Sequence, residues 1–375
     1  MANVVDLFAG CGGLSLGAAR AGLHPSLAVE LDNHASAAHS KNFPQCKTAV
    51  LDLSKVESRD IGSLVGSKPD LVVGGPPCQG FSYIGKRDQN DPRNNLLDKF
   101  FEIVADIKPR AFMMENVPGL LDQSNQQFLE KAINRVADRY TILAPTVLDA
   151  ADFGAATRRK RVIIVGYDSA SVNRISLECI KNACSPSTTV REALAGLPEP
   201  NSTDIGKLEL ADTPYVRLIN RTTESVGCQE KIQAFLNGFV SGLETTRHTD
   251  VVRERFRGTL PGQTEQTSRF FRLHPDQPAR TLRAGTGADR GSFQSARPIH
   301  FLSPRVVTVR EAARIQGFPD WFDFHPTKWH SHRMIGNSVS PIFAEAVLKV
   351  LADALGINTE QSRLFGDQIP TDAVA

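Results

Sequence analysis

The sequence predicts an α/β fold, a parallel sheet with helices on both faces, joined to a smaller and irregular second domain. Three observations carry this expectation. Strand-like and helix-like runs alternate from Asn3 to Tyr167, which is the pattern of strands linked by crossover helices. A glycine-rich turn separates the first strand from the first helix, and ligands of such folds sit at the carboxyl ends of the strands. Beyond Tyr167 the alternation stops, and from Asp168 to about Pro304 the chain is rich in Thr, Ser, Gly and Arg with short apolar patches. That composition predicts short strands and loops.

The elements follow in order. "NVVDLFAG" is an apolar run that ends in glycine, a strand, and "LSLGAARAGL" is a helix. "PSLAVELD", "PDLVVGGPP" and "RAFMMENV" read as strands, separated by the helices "ASAAHSKNF" and "NLLDKFFEIVADI". "QQFLEKAINRVAD" adds a helix, and "YTILAPTVL" and "RRKRVIIVGYD" add two more strands. After the irregular stretch, "TVREAARIQGF" is a helix and "GNSVSP" opens another, "IFAEAVLKVLADAL". The tail "GINTEQSRLFGDQIPTDAVA" is polar and expected to be mobile.

A chain of 375 residues with 41% hydrophobic and 22% charged residues can bury a full core, which excludes disorder throughout. No apolar run approaches the roughly 18 residues of a bilayer span, and "MANVVDLFAG" lacks the basic and apolar regions of a signal segment. The expectation is a cytoplasmic protein with no membrane partner. Cys11, Cys46, Cys78, Cys179, Cys184 and Cys228 are scattered without a CxxC pair, so reduced thiols and no metal are expected. The histidines of "WFDFHPTKWHSHR" have no cysteine beside them and are read as packing residues, as are Trp321 and Trp329. Charge is unevenly placed: Arg247 to Arg333 holds fourteen Arg and one Lys against eight acids, a local +7 within a net +2. Arginine binds phosphate bidentately and reads guanine edges, so this stretch favours a nucleic-acid face.

Chemistry concentrates at three strand ends. In "DLFAGCGGLSLG", Gly10, Gly12 and Gly13 let a ligand approach the backbone, and Glu30 lies twenty residues after Gly10 at the end of the next strand, where a carboxylate can accept from ribose hydroxyls. Alone, this pattern would also suit a dinucleotide-dependent oxidoreductase. "GGPPCQGFS" holds Cys78 behind two φ-restricting prolines, a poor core strand but a good mount for a thiol. "MMENV" brings Glu115 to the same sheet edge, and a carboxyl group among apolar neighbours can hold or donate a proton near neutral pH. Thiolate, proton donor and nucleoside-binding turn suggest one reaction. A thiolate adding to C6 of a cytosine, with protonation at N3, makes C5 nucleophilic enough to take a methyl group from a sulfonium.

The ordered set "DLFAGCGGLSLG", "GGPPCQGFS", "ENVPGL", "DFGAATRRKRVIIVG", "TVREAARIQGFPDWF" and "GNSVSP" resembles the C5-cytosine DNA methyltransferase family from Val5 to about Ala352. The resemblance implies a Rossmann-like class I methyltransferase sheet over 1–167, completed by 334–355, a target-recognition domain and hinge over 168–333, and a polar tail over 356–375. It implies S-adenosyl-L-methionine bound by Phe8, Gly10, Gly12, Glu30, Asp52, Asn337 and Val339. Cys78 would be the nucleophile, Pro77 its support, Glu115 the N3 partner, and Arg159 and Arg161 the two arginines at the base, with Arg161 nearer O2. Tyr83 to Asn95 resembles the family's mobile lid. Contacts to double-stranded DNA are assigned to Gln79, Ser82, Arg87, Arg93, Arg269, Arg272, Arg283 and Arg290, the target cytosine being flipped from the duplex. A monomer is expected, with a cognate restriction endonuclease acting separately. Two positions depart from the family: Ala156-Thr157 stands where Pro-Gln is usual, and Leu31 where an aromatic often stacks on adenine. A tRNA-directed relative and a catalytically silent DNA-binding protein remain alternatives.

Overall fold

The computed structural model describes residues 2–77, 95–200, 203–209, 213–285 and 297–357. Cys78, Gln79, Ser82, Arg87, Arg93 and Arg290, the lid residues 83–94 and the tail 358–375 lie outside the described residues.

The chain forms two compact units. The first comprises Met1–Ala150, Lys160–Cys184 and Ala344–Ser362, the second Ala151–Arg159, Ser185–Phe343 and Arg363–Ala375. In the first, β1 (Asn3–Leu7), α1 (Gly13–Arg20), β2 (His24–Glu30), α2 (Asn33–Asn42), β3 (Lys47–Val50), α3 (Ser58–Val65), β4 (Leu71–Gly74), α4 (Asn95–Ile107) and β5 (Ala111–Asn116) alternate strictly. They continue into α5 (Gln126–Asn134), β6 (Thr141–Ile142), β7 (Thr146–Asp149), β8 (Lys160–Tyr167) and α6 (Leu177–Asn182). The sheet order is β3-β2-β1-β4-β5-β8-β6, with β7 also on β8. β1 lies between β2 and β4, parallel to both, so the winding reverses there and the crevice for a ligand opens at the carboxyl ends of β1 and β4.

Packing explains the alternation. Leu71, Val72 and Val73 of β4 are fully buried, and α4 turns Leu97, Phe100, Phe101 and Val104 to the core at helical spacing. Phe112 of β5 meets Phe100, Phe101 and Tyr140 edge to face at centroid distances of 6.3, 5.8 and 5.3 Å.

Three expectations need correcting here. The sheet is not wholly parallel: β6, β7 and β8 run antiparallel to their neighbours, because the chain turns back from β7 to β8 without a crossover helix. "YTILAPTVL" is two strands, since Pro145 between them has no N–H for the ladder. β3 and α3 escaped notice because "KTAV" is half-exposed and "SRDIGSLV" is short and polar.

The second unit is more helical than its composition suggests. It contains α7 (Val190–Leu194), β9 (Ile205–Lys207), α8 (Pro214–Asn220), α9 (Gln229–Leu236), β10 (Phe239–Ser241), α10 (Asp250–Gly258), α11 (Val309–Gln316) and α12 (Lys328–Asn337), after which α13 (Pro341–Ala354) leads back into the first unit. Threonines that read as strand or loop residues are helix caps: the Thr189, Thr213 and Thr249 side chains accept from the Glu192, Val216 and Val252 N–H groups. Thr308 and Glu311 form a capping box on α11. That helix is wholly buried. Arg310 donates to the carbonyls of Ser241, Pro319 and Phe322, Arg314 pairs with Asp320 at 2.7 Å, and Trp321 Nε1 donates to Asn220 O at 3.1 Å. One stretch, Lys328–Ala354, is apolar and long enough to span a bilayer by composition, but 67% of its most apolar 18-residue window is buried in the fold, and it breaks between α12 and α13.

Candidate active site

At the end of β1 the chain winds tightly: Phe8, Gly10 and Gly12 have φ of 62°, 57° and 104°. Gly12 leaves no room for a side chain, because a Cβ there would lie 2.3 Å from the Phe43 ring. Gly10 differs, with open space where its Cβ would be, so its bare backbone lines a free cradle. The Glu30 carboxylate holds this turn from β2, accepting Gly10 N–H at 2.8 Å through Oε2 and Asp32 N–H at 2.8 Å through Oε1. Each oxygen keeps a lone pair for a further donor. Burial, more than these hydrogen bonds offset, raises the Glu30 pKa. The set fits a nucleoside: open space over the Gly10 backbone, and an acceptor beside it.

Beneath the turn runs a chain of buried polar groups that sequence reasoning missed. Ser15 Oγ donates to Asp6 Oδ2 at 2.6 Å and stands 3.0 Å from His39 Nε2, while His39 Nδ1 is 3.1 Å from Thr48 Oγ1. Since the Ser15 proton goes to Asp6, His39 donates from Nε2 and accepts from Thr48. Burial pushes the His39 pKa down to about 3 and keeps it neutral. A single helical histidine carries no sequence signal for this role.

Asp52, half-buried beyond β3, spends its carboxylate locally on Ser54 N–H, Ser54 Oγ and Lys55. Leu31 is exposed where an adenine-stacking aromatic would stand. Asn337 and Val339 belong to the second unit, Asn337 exposed at the end of α12 and Val339 buried.

The second cluster lies at the carboxyl ends of β4 and β5. Glu115 is buried there, with Oε1 2.5 Å from Arg161 Nε of β8. The strand pairing Glu115↔Ile163 sets these side chains at one edge. Glu115 is therefore ion-paired rather than surrounded by apolar groups, which corrects the reasoning though not the position. A Cβ at Gly75 would stand 3.0 Å from Glu115 Oε2, so a side chain where the chain leaves β4 would crowd the carboxylate. Buried Asn116 donates from Nδ2 to Pro76 O at 3.2 Å and ties the proline turn to β5. Pro77, exposed, ends the described segment. Asn116 is the second residue that the sequence reading passed over, although a buried amide at a strand end beside Glu115 was its signal.

Two arginines are corrected. Arg159 is buried in the second unit and donates to Leu282 O at 3.2 Å and Gly336 O at 2.9 Å, so it clamps backbone instead of facing a base. Arg272 is buried and donates to the carbonyls of Phe256, Arg257, Thr259, Phe301 and Leu302, which commits most of its donors to backbone inside the fold. Arg269 and Arg283 are exposed.

A sheet of this order, with a nucleoside cradle at β1 and a carboxylate at the end of β5, is that of a class I methyltransferase. The chain belongs to the C-5 cytosine-specific DNA methylase family, which it matches over residues 2–353. It is 39% identical to the Type II methyltransferase M.XorII of Xanthomonas oryzae pv. oryzae, over 97% of this chain and 88% of that protein. It is 32% identical to the Type II methyltransferase M.DdeI of Desulfomicrobium norvegicum, over 97% and 91% of the two chains. Among solved structures, a prophage-encoded DNA modification methyltransferase from E. coli superposes with a TM-score of 0.85 at 39% identity, over 95% of this chain and all of that one. The S. pombe Dnmt2 methyltransferase shares the fold, with a TM-score of 0.64 at 16% identity over 95% and 100%. The protein is a DNA cytosine-5-methyltransferase of the Type II kind, within a family that uses S-adenosylmethionine.

Proposed function

We propose that the protein methylates C5 of a cytosine flipped from a specific duplex sequence, through a covalent bond between Cys78 and C6. The observation that carries this is the edge of β4 and β5: Asn116 anchors the Pro76-Pro77 turn immediately before Cys78, beside the Glu115–Arg161 pair. Cys78 supplies the electron pair of the new S–C6 bond, and Glu115 supplies or holds the proton at N3. Arg161, already paired with Glu115, orients that carboxylate and faces O2. When bound, S-adenosylmethionine supplies an electrophilic methyl sulfonium. Phe8, Gly10 and Glu30 would hold and orient it, and Asp52, Asn337 and Val339 would be further contacts. Once C5 carries the methyl, a base removes the C5 proton, the S–C6 bond breaks, the thiolate returns and N3 gives its proton back to Glu115. Gln79, Ser82, Arg87 and Arg93 are assigned to DNA contact, as the family resemblance implies.

Residues 168–333 act as the target-recognition domain, through Arg269, Arg283 and Arg290. The protein works in the cytoplasm as a monomer, separately from a cognate endonuclease. A duplex with 5-fluorocytosine at the target tests the chemistry, because fluorine cannot leave as the C5 proton does. The parent should form a denaturation-resistant adduct and Cys78→Ser none. An adduct with the variant would place the nucleophile elsewhere.

A further inference from the structure

The hairpin 262–272 of the second unit has a buried root, a stapled turn and a strained tip. At the root, Arg272 is fixed by backbone carbonyls, Gly262 N–H donates to Arg272 O at 2.9 Å, and Thr264 pairs with Phe271 across the hairpin. At the turn, the Glu265 carboxylate, 5% exposed, accepts Thr267 N–H at 3.1 Å and Ser268 N–H at 2.5 Å. Arg255 Nε stands 3.8 Å from it. Backbone bonds from Glu265 N–H to Phe270 O and from Arg269 N–H to Glu265 O, at 2.8 and 2.9 Å, close the loop. Burial alone would raise the Glu265 pKa, but hydrogen bonds from Ser268 and Thr267 and the Arg255 charge outweigh it and leave about 2, so the staple stays ionised.

Arg269 occupies the tip with φ of 62°, one of three non-glycine residues with positive φ among those described. Glycine or asparagine would sit there with less strain. Its side chain is exposed and makes no hydrogen bond or ion pair among the described residues. Gln263, Gln266 and Thr267 around it are exposed as well. A strained backbone beneath a permanently charged fork that pairs with nothing among the described residues points to a ligand. A planar fork on a rigid, polar turn matches the O6 and N7 acceptors of guanine in the major groove.

We propose that this hairpin is a base-reading element in which Arg269 is bidentate to a guanine and Glu265 is the residue that positions it. The proposal rests on the reading that the chain methylates duplex DNA. The test is methylation of a randomised duplex library by the full chain, read by bisulfite sequencing, together with melting temperatures. Arg269→Ala should relax preference at one base pair by about tenfold or more. Arg269→Gly should relax the same position with a melting temperature at or above the parent's, since glycine accepts this φ. Glu265→Ala should relax that same base pair and no other. An unchanged preference profile for Arg269→Ala overturns the proposal. So does a uniform weakening of all sequences with a flatter salt dependence, the mark of a phosphate contact. A lower melting temperature with an unchanged profile for Glu265→Ala removes its positioning role. A parent protein that methylates no duplex sequence would instead refute the proposed function.

Discussion

Two glutamates close neighbouring parts of one sheet edge, and they are held by opposite means. Glu30, at the end of β2, is fixed by backbone N–H groups that cannot move without unwinding the glycine turn. Glu115, at the end of β5, is held by the Arg161 guanidinium, a side chain that can share its donors with an arriving group. The first arrangement suits a rigid acceptor that defines a cradle. The second leaves the carboxylate on a side-chain partner that keeps its charge. The same residue type at two strand ends of one sheet is thus held by different kinds of donor.

The comparison breaks most visibly at Glu115. Glu115→Gln removes the ionisable group, and single-turnover methylation should slow by about 10² or more, with little change in affinity for S-adenosylmethionine by calorimetry. A variant that loses that affinity but keeps its rate at saturation would reverse the two roles. Glu30→Gln should do the opposite. Gln offers one acceptor and turns an N–H toward a donor, so KM for S-adenosylmethionine should rise by about tenfold, while kcat at saturation changes far less.

A pH series sharpens the account of the turn's foundation. Burial, partly offset by the Ser15 hydrogen bond and reinforced by the Glu30 charge, raises the Asp6 pKa from 3.8 to about 7. The folded protein therefore keeps a proton that the unfolded chain releases, and this contribution to stability is lost as pH rises through that window. Asp6→Asn should flatten the fall in urea midpoint between about pH 4 and pH 7; an unchanged slope would mean that Asp6 ionises normally. The smallest effect belongs to an ion pair outside the site. Arg135 and Asp98 join α5 to α4 in partly exposed positions, Nε to Oδ1 at 2.6 Å, and Arg135→Ala should cost about 0–1 kcal/mol in urea unfolding, with kcat and KM unchanged.

Much of this edge was legible without coordinates. The alternation up to β5, apart from β3 and α3, the α4 boundaries and the placement of the glycine turn, Glu30 and Glu115 at strand ends follow from local periodicity and turn residues. The arginines were not. Arg159 and Arg161 stand two apart in one motif, yet one caps backbone carbonyls in the second unit and the other pairs with Glu115 in the first. Arg269 and Arg272 are three apart, yet one is at a tip and the other at a root.

The sequence by itself determined the strands β1, β2, β4 and β5, the glycine turn and the candidate thiol and carboxyl, because backbone restriction and hydrophobic period act over a few residues, and its ordered motifs carried the resemblance to the family. Tertiary structure alone decided which arginines are free, where Asn116 and His39 find partners, and that threonines of the second unit cap helices. A guanidinium has the same local preferences on the surface or in the core. Whether it meets a carbonyl, a carboxylate or solvent depends on segments tens to hundreds of residues away, such as Leu282 and Gly336 for Arg159.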